Sequence, residues 1–178
     1  SQEIGFKIEK KIFKKIIKLS KELNMSLFYL LKYNNKNIYT KEIKDYFQKD
    51  YSEKKFKYIE RSENSYKYLN LDALFISRFS TLAFEAISRK KRVIFLSPSN
   101  FPSKTYGRKY AQNGPFWTIN YSYDNIKKIV KKILKLKEKN WSEIVDQQVS
   151  DIIVYKYLNP DLVKLLKKNN IKTYNQNF

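Results

Sequence analysis

The 178-residue chain contains no cysteine and no histidine, and only three glycines and four prolines. Without cysteine it has no disulfide, no thiolate metal ligand and no thiol nucleophile. Without histidine it lacks the usual general base near neutral pH and the commonest zinc ligand. No apolar run is long enough to span a bilayer, and no signal-peptide pattern opens the chain. We therefore expect a cytoplasmic protein, free or at the inner face of the membrane, whose chemistry uses carboxylates, lysines, tyrosines and hydroxyl groups.

Positive charge dominates the sequence, since 37 lysines and arginines stand against 17 aspartates and glutamates, for a formal net charge of +20. A domain this basic can bind nucleic acid or an anionic membrane surface. Yet nearly all of the charge is lysine, and the chain is also rich in isoleucine, asparagine, tyrosine and phenylalanine, which indicates a drift toward A/T-rich codons. Arginine, the better reader of bases, occurs only five times. We expect solvated lysines, no sequence-specific nucleic-acid binding and, as one further partner, an anionic membrane.

Short apolar segments alternate with amphipathic ones along much of the chain. The apolar segments predict buried strands at residues 27–31, 56–59, 73–77 and 93–96. The amphipathic segments predict helices at residues 8–23, 41–47, 65–69, 81–88 and 125–136. Ser142 and Asn159 are candidate caps of two further helices. The alternation predicts the α/β class, with a Rossmann-like parallel sheet flanked by helices and a helical C-terminal tail.

Residues 97–118 form a contrasting segment with little periodicity, which holds three of the four prolines and two of the three glycines. Loops of this length inside a compact domain are usually functional or disordered. Because the segment also carries five aromatic side chains, we expect an ordered, functional loop.

The clearest candidate site lies where the strand 73–77 meets the helix 81–88. Ligands of open parallel sheets bind beyond the carboxyl ends of the strands, and a helix start offers unpaired N–H groups to an anion. Ser80 and Thr81 add two hydroxyl groups there, so they are candidates for binding phosphate; the alternative is that Ser80 only caps the helix. Glu85, one turn further on, can accept hydrogen bonds from a sugar or pair with Arg89.

Two motifs carry a family resemblance. The segment Ser80-Thr81-Leu82-Ala83-Phe84-Glu85-Ala86 and the later Asn113-Gly114-Pro115-Phe116-Trp117-Thr118 are similar to motifs of bacterial surface-carbohydrate (O-antigen or capsule) biosynthesis glycosyltransferases of the GT-B type. The likeness runs over residues 6–166. It implies that residues 1–178 are a single nucleotide-sugar-binding domain, the C-terminal donor-binding half of a two-domain enzyme whose N-terminal acceptor half is absent.

By this resemblance, Ser80 and Thr81 contact the donor phosphate and Glu85 contacts the ribose or the sugar. The nucleotide-sugar is then the substrate, no cofactor or metal is implied, and the catalytic residues stay unassigned. Further candidates for the phosphate are Arg61, Lys104 and Arg108, and the candidate loop residues are Asn113, Gly114, Pro115 and Trp117. The alternatives are a basic nucleic-acid-binding α/β module and a non-catalytic remnant of a transferase.

The chain departs from the family pattern at two places. Related CMP-sugar transferases often carry His-Pro at the end of an earlier strand, where this chain reads Lys32-Tyr33-Asn34. A CMP-linked donor is therefore not implied. The glycine that often ends the helix after the Glu-Ala pair is replaced by the run Arg89-Lys90-Lys91-Arg92.

Overall fold

A computed structural model of the protein describes residues 2–30, 41, 44–45, 56–59, 65–78, 80–96 and 112–149. The described elements are, in chain order, α1 (Gln2–Glu22), β1 (Leu27–Leu30), β2 (Phe56–Ile59), a 3₁₀ helix (Ser65–Asn70), β3 (Leu74–Ser77), α2 (Thr81–Ser88), β4 (Arg92–Leu96), β5 (Trp117–Thr118), α3 (Tyr123–Lys135) and α4 (Glu138–Val149). Most of the predicted helix 41–47, and all of the helix predicted after Asn159, lie outside the described residues.

Every strand pairing in the described part of the chain is parallel, and the strands form two sheets. In the first sheet β1 pairs with β2, from Leu27 opposite Phe56 to Leu30 opposite Ile59. In the second sheet β4 lies between β3 and β5. The predicted α/β class is confirmed, although its strands are divided between two short sheets.

Helix α1 ends in a backbone motif that closes it at Asn24, as the sequence predicted. Asn24 takes a left-handed conformation (φ 55°), which asparagine tolerates better than most residues. Its N–H donates to the carbonyl of Lys21 at 3.2 Å, and the N–H of Met25 donates to the carbonyl of Ser20 at 2.8 Å. These two bonds are the Schellman pattern, and they satisfy carbonyl groups that the end of the helix leaves open.

The same motif ends α2 without the glycine that the family pattern often has. Lys90 takes the left-handed position (φ 62°). Its N–H donates to the carbonyl of Ile87 at 2.9 Å, and the N–H of Lys91 donates to the carbonyl of Ala86 at 3.0 Å. The departure noted in the sequence therefore leaves the helix end intact, although a left-handed non-glycine residue costs roughly 1–2 kcal/mol of conformational energy.

An aromatic cluster fixes the core between α2, the second sheet and α4. The rings of Phe84 and Phe95 lie 4.9 Å apart between centroids, and Phe116 lies 4.9 Å from Trp117 and 5.6 Å from Trp141. All five side chains are buried. Their packing joins segments that are distant in the sequence into one hydrophobic core.

One predicted helix start is wrong. Ser142 lies inside α4, which begins at Glu138, and the N–H of Trp141 already donates to the carbonyl of Lys137 at 3.0 Å. Burying Trp141 against Phe116 requires the helix to start a turn earlier, and this tertiary contact outweighs the capping preference of serine. No helix within the described ranges is both long and apolar enough to cross a lipid bilayer.

Candidate functional site

A cavity of about 1080 Å³ separates β1 from β3 and reaches the start of α2. All four residues of each strand line it, together with apolar side chains of α1 such as Phe13 and Ile16. Pockets that bury a drug-sized ligand have volumes of roughly 300–1,000 Å³, with mostly apolar walls and a few polar groups. The cavity is therefore large enough for a ligand of nucleotide size.

The polar lining is concentrated where β3 ends and α2 begins. Ser77, Arg78, Ser80 and Thr81 all line the cavity, and the last two are exposed to solvent. Parallel strands present their carboxyl ends at one edge of the sheet, where ligands of such sheets usually bind. The structure thus brings the two predicted phosphate-binding residues to the mouth of a cavity.

Ser80 is the N-cap of α2, as one of the two predictions for it stated. Its backbone is extended (φ −83°, ψ 152°), and its Oγ accepts a hydrogen bond from the N–H of Ala83 at 3.2 Å. Ser77 completes the turn, because its Oγ donates to Ser80 Oγ at 2.9 Å and accepts from the N–H of Ser80 at 3.2 Å. Ser77 was not predicted as a site residue, although it lies only three residues before the cap in the sequence.

These bonds still leave the turn able to bind an anion. A serine hydroxyl accepts two hydrogen bonds and donates one. Ser80 Oγ accepts from Ala83 and from Ser77, so its own hydrogen is left to donate outward. The N–H groups of Thr81 and Leu82 begin the helix, where no intrahelical acceptor exists for them. Helix capping and anion binding by Ser80 are therefore compatible.

Arg78 adds positive charge beside this turn and was not among the residues predicted for the site. Its Nη1 lies 2.8 Å from Glu9 Oε1 of α1, and both side chains are partly exposed, at 35% and 46%. An ion pair with this exposure contributes little to stability, so the guanidinium can exchange its partner at small cost. A planar guanidinium is also the side chain that best matches a phosphate.

Glu85 bonds to Tyr66, whereas Arg89 was the residue of the protein that the sequence offered as its partner. Its Oε1 accepts a hydrogen bond from the phenol of Tyr66 in the 3₁₀ helix at 2.9 Å. This bond to a carboxylate raises the pKa of Tyr66 above its ordinary value. Glu85 does not line the cavity described here.

The loop residues of the second motif do not line the cavity, and they range from the exposed Asn113 to the buried Trp117. Trp117 is 4% exposed, and a Cβ atom added to Gly114 would lie 2.0 Å from its indole ring. The N–H of Gly114 donates to the carbonyl of Trp117 at 2.9 Å. Asn113 Oδ1 accepts from the hydroxyl of Thr118 and from the N–H of Ile119. Pro115 is half-buried within this turn, so the motif closes a tight loop against β5.

The remaining candidates, Arg61, Lys104 and Arg108, lie outside the described residues. On the opposite wall of the cavity, Tyr29 of β1 packs edge-on against Phe13, with ring centroids 4.6 Å apart. Burial, and next the charge of Glu9, raise the pKa of Tyr29 to about 12. The raised pKa keeps this phenol protonated well above physiological pH.

A model of the family described as "putative O-antigen biosynthesis protein" matches residues 4–170, which is nearly the whole chain. Searches of the curated proteins and of the solved structures give no match.

Proposed function

The chain belongs to this O-antigen biosynthesis family, and we propose that within it the protein is the donor-binding domain of a glycosyltransferase. The substrate in this proposal is a nucleotide-sugar used for surface polysaccharide, and no further cofactor is required. The domain would be the Rossmann-like half of a GT-B enzyme, with the acceptor site and the catalytic base on a second domain. Family membership supports the pathway, and the cavity beside Ser80 supports the ligand.

The observation that carries the proposal is the arrangement of donors at the start of α2. The Ser80 and Thr81 hydroxyls, the first N–H groups of the helix and the partial positive charge of its N-terminus meet at the cavity mouth. Glycosyl transfer builds negative charge on the leaving phosphate. Fixed donors at that position would stabilise this charge as it develops.

The order of the strands also supports the proposal. On one side of the cavity the strand order is β1-β2, and on the other side it is β3-β4-β5. Placed side by side, the two sheets would give the order β2-β1-β3-β4-β5, which is that of doubly wound nucleotide-binding folds. In such folds the ligand binds where the order reverses, between β1 and β3, and this is where the cavity lies.

The test is nucleotide binding by the 178-residue chain with and without the two hydroxyls. A thermal-shift screen with CMP, UDP, GDP and their sugar conjugates identifies the ligand, and titration calorimetry gives its Kd. Hydrogen bonds to charged groups contribute roughly 1.5–3 kcal/mol each, so Ser80→Ala with Thr81→Val should weaken binding on the order of a hundredfold.

Ser122→Ala is the matched control for the loss of the cap. Ser122 caps α3 in the same way, because its Oγ accepts from the N–H of Asn125 at 3.4 Å, and it does not line the cavity. Removing either serine cap should cost about 1 kcal/mol of unfolding free energy. Only the change at Ser80 should also alter the Kd. An unchanged Kd in the double variant, beside a lowered Tm, would leave Ser80 and Thr81 as structural residues only.

A further inference from the structure

The solvent-facing sides of α1 and α3 are both rich in lysine. Helix α1 contributes lysines at i, i+3 and i+4 spacings, and α3 contributes a second row opposite its buried face. All eight are exposed: Lys11, Lys14, Lys18, Lys21, Lys128, Lys131, Lys132 and Lys135. We call these eight residues the lysine surface.

Contacts between the two helices hold both rows on one side of the molecule. Lys15 Nζ donates to the carbonyl of Tyr121 at 2.7 Å, and Lys18 Nζ lies 4.5 Å from the ring centroid of Tyr123. Glu22, at the end of α1, lies 2.5 Å from Lys127 Nζ of α3. The helices therefore run side by side, with their buried residues in the common core and their lysines facing outward.

Compositional drift alone does not explain this surface. Drift toward lysine would enrich every solvated helix face, yet the exposed positions of α4 have mixed charge. They include Glu138, Glu143 and Asp146 beside Lys139. On α1 and α3, by contrast, the acids beside the lysine surface are Glu22 and Asp124. Glu22 pairs with Lys127 and lies 3.9 Å from Lys131, and Asp124 is in the first turn of α3. The positive charge is thus concentrated on one face.

We propose that the lysine surface docks the protein onto an anionic lipid membrane. Clusters of four to eight basic residues on amphipathic helices attract anionic headgroups, and lysine supplies the charge that this requires. Leu134, 39% exposed beside Lys131 and Lys135, offers an apolar side chain to the headgroup layer. A nucleic-acid partner fits less well, because neither α1 nor α3 contains an arginine to read bases.

Vesicle co-sedimentation tests the proposal with the full chain. The protein should pellet with vesicles of phosphatidylcholine mixed equally with phosphatidylglycerol, and should stay in solution with phosphatidylcholine alone. Added NaCl should release it, since exposed charges are screened by salt. Each lysine near an anionic surface contributes roughly fivefold in affinity, so changing Lys128, Lys131, Lys132 and Lys135 to Gln should weaken binding by roughly 600-fold.

The control set removes the same charge from other exposed positions, with Lys41, Lys57, Lys137 and Lys139 changed to Gln. It should retain most of the binding. Equal losses in both sets, or equal binding to neutral vesicles, would overturn the proposal. So would RNA or DNA of unrelated sequence that displaces the vesicles at the same salt. If the α3 set fails to fold, Lys11, Lys14, Lys18 and Lys21 changed to Gln repeat the test on α1.

The proposals of membrane docking and of nucleotide binding can be tested independently of each other. None of the eight lysines lines the cavity between β1 and β3. A variant that loses vesicle binding should therefore keep its affinity for the nucleotide, and Ser80→Ala should leave vesicle binding unchanged.

Discussion

The two segments that carry the family resemblance have opposite surroundings. In residues 80–86 the motif begins with two exposed hydroxyl residues, Ser80 and Thr81, at the mouth of a cavity. In residues 113–118 the motif ends with Phe116, Trp117 and Thr118, which are at most 4% exposed. The first segment offers hydrogen-bond donors to a ligand, whereas the second fills the core. Substitutions of Ser80 and Thr81 should therefore change ligand affinity, and those of Phe116 and Trp117 should change stability.

The largest expected effect is that of Trp117→Ala. The indole packs edge-on against Phe116 and covers Gly114, so its removal leaves a cavity in the core. Truncating a buried aromatic residue of this size costs about 3–5 kcal/mol, and urea unfolding followed by circular dichroism measures it. Leu134→Ala, at a position 39% exposed, is the control and should change stability by less than about 0.5 kcal/mol.

The contrast between the two motif segments would be wrong if Trp117→Ala left the unfolding free energy unchanged but abolished nucleotide binding. That result would make Trp117 part of the binding site in place of the core.

A smaller effect is expected from Gly114→Ala. The new methyl group would overlap the indole of Trp117, because the added Cβ lies 2.0 Å from Trp117 Cε2, and overpacking of this kind costs roughly 1–3 kcal/mol. Since the clash is with one ring, Gly114→Ala should cost much less when Trp117 is already alanine. A double-mutant cycle on unfolding free energies measures this coupling. Equal costs in both backgrounds would show that the backbone at Gly114, and not the ring, requires glycine.

The regular elements could be predicted from the sequence where local signals were sufficient. The strand 56–59 and the helix Thr81–Ser88 match their predicted bounds, and Asn24 ends α1 as expected. Each has a local cause, either an apolar run of strand length or a capping residue beside an amphipathic segment. The two-residue strand β5 was missed, because Trp117 and Thr118 become a strand only by pairing with Phe95 and Leu96.

The residues of the candidate site also divide into those with a local sequence signal and those whose contacts are distant in the sequence. Ser80 and Thr81 were predictable because a strand, a turn and a helix start follow one another within a few residues. The partner of Glu85 was not, since Tyr66 lies 19 residues earlier in the sequence and on a separate element. The ion pair of Arg78 with Glu9 spans 69 residues. Contacts of this kind depend on how the elements pack, which no local pattern encodes.

The smallest expected effect separates a structural from a ligand-binding role for Glu85. Tyr66 is about half exposed, so Tyr66→Phe should change the unfolding free energy by less than about 0.5 kcal/mol. The hydrogen bond to Glu85 raises the pKa of Tyr66 in the folded state. The contribution of this bond to the unfolding free energy is therefore complete below the ordinary tyrosine pKa of about 10. It is lost as the pH rises through the higher pKa of the folded state.

Titration of Tyr66 with and without nucleotide tells the two roles of Glu85 apart. Glu85→Gln removes the negative charge and should bring the pKa of Tyr66 back toward 10. Ultraviolet difference spectra recorded against Tyr66→Phe measure this pKa. If Glu85 turns to a ribose or sugar hydroxyl when nucleotide binds, the phenol loses its acceptor and its pKa should fall toward the same value. Tyr66→Phe should then leave the nucleotide Kd unchanged or tighten it, because the carboxylate no longer has to exchange partners. A pKa of Tyr66 that stays equally high with saturating nucleotide would mean that Glu85 remains bound to Tyr66. The ligand-binding part of the first motif would then be limited to its two hydroxyl residues.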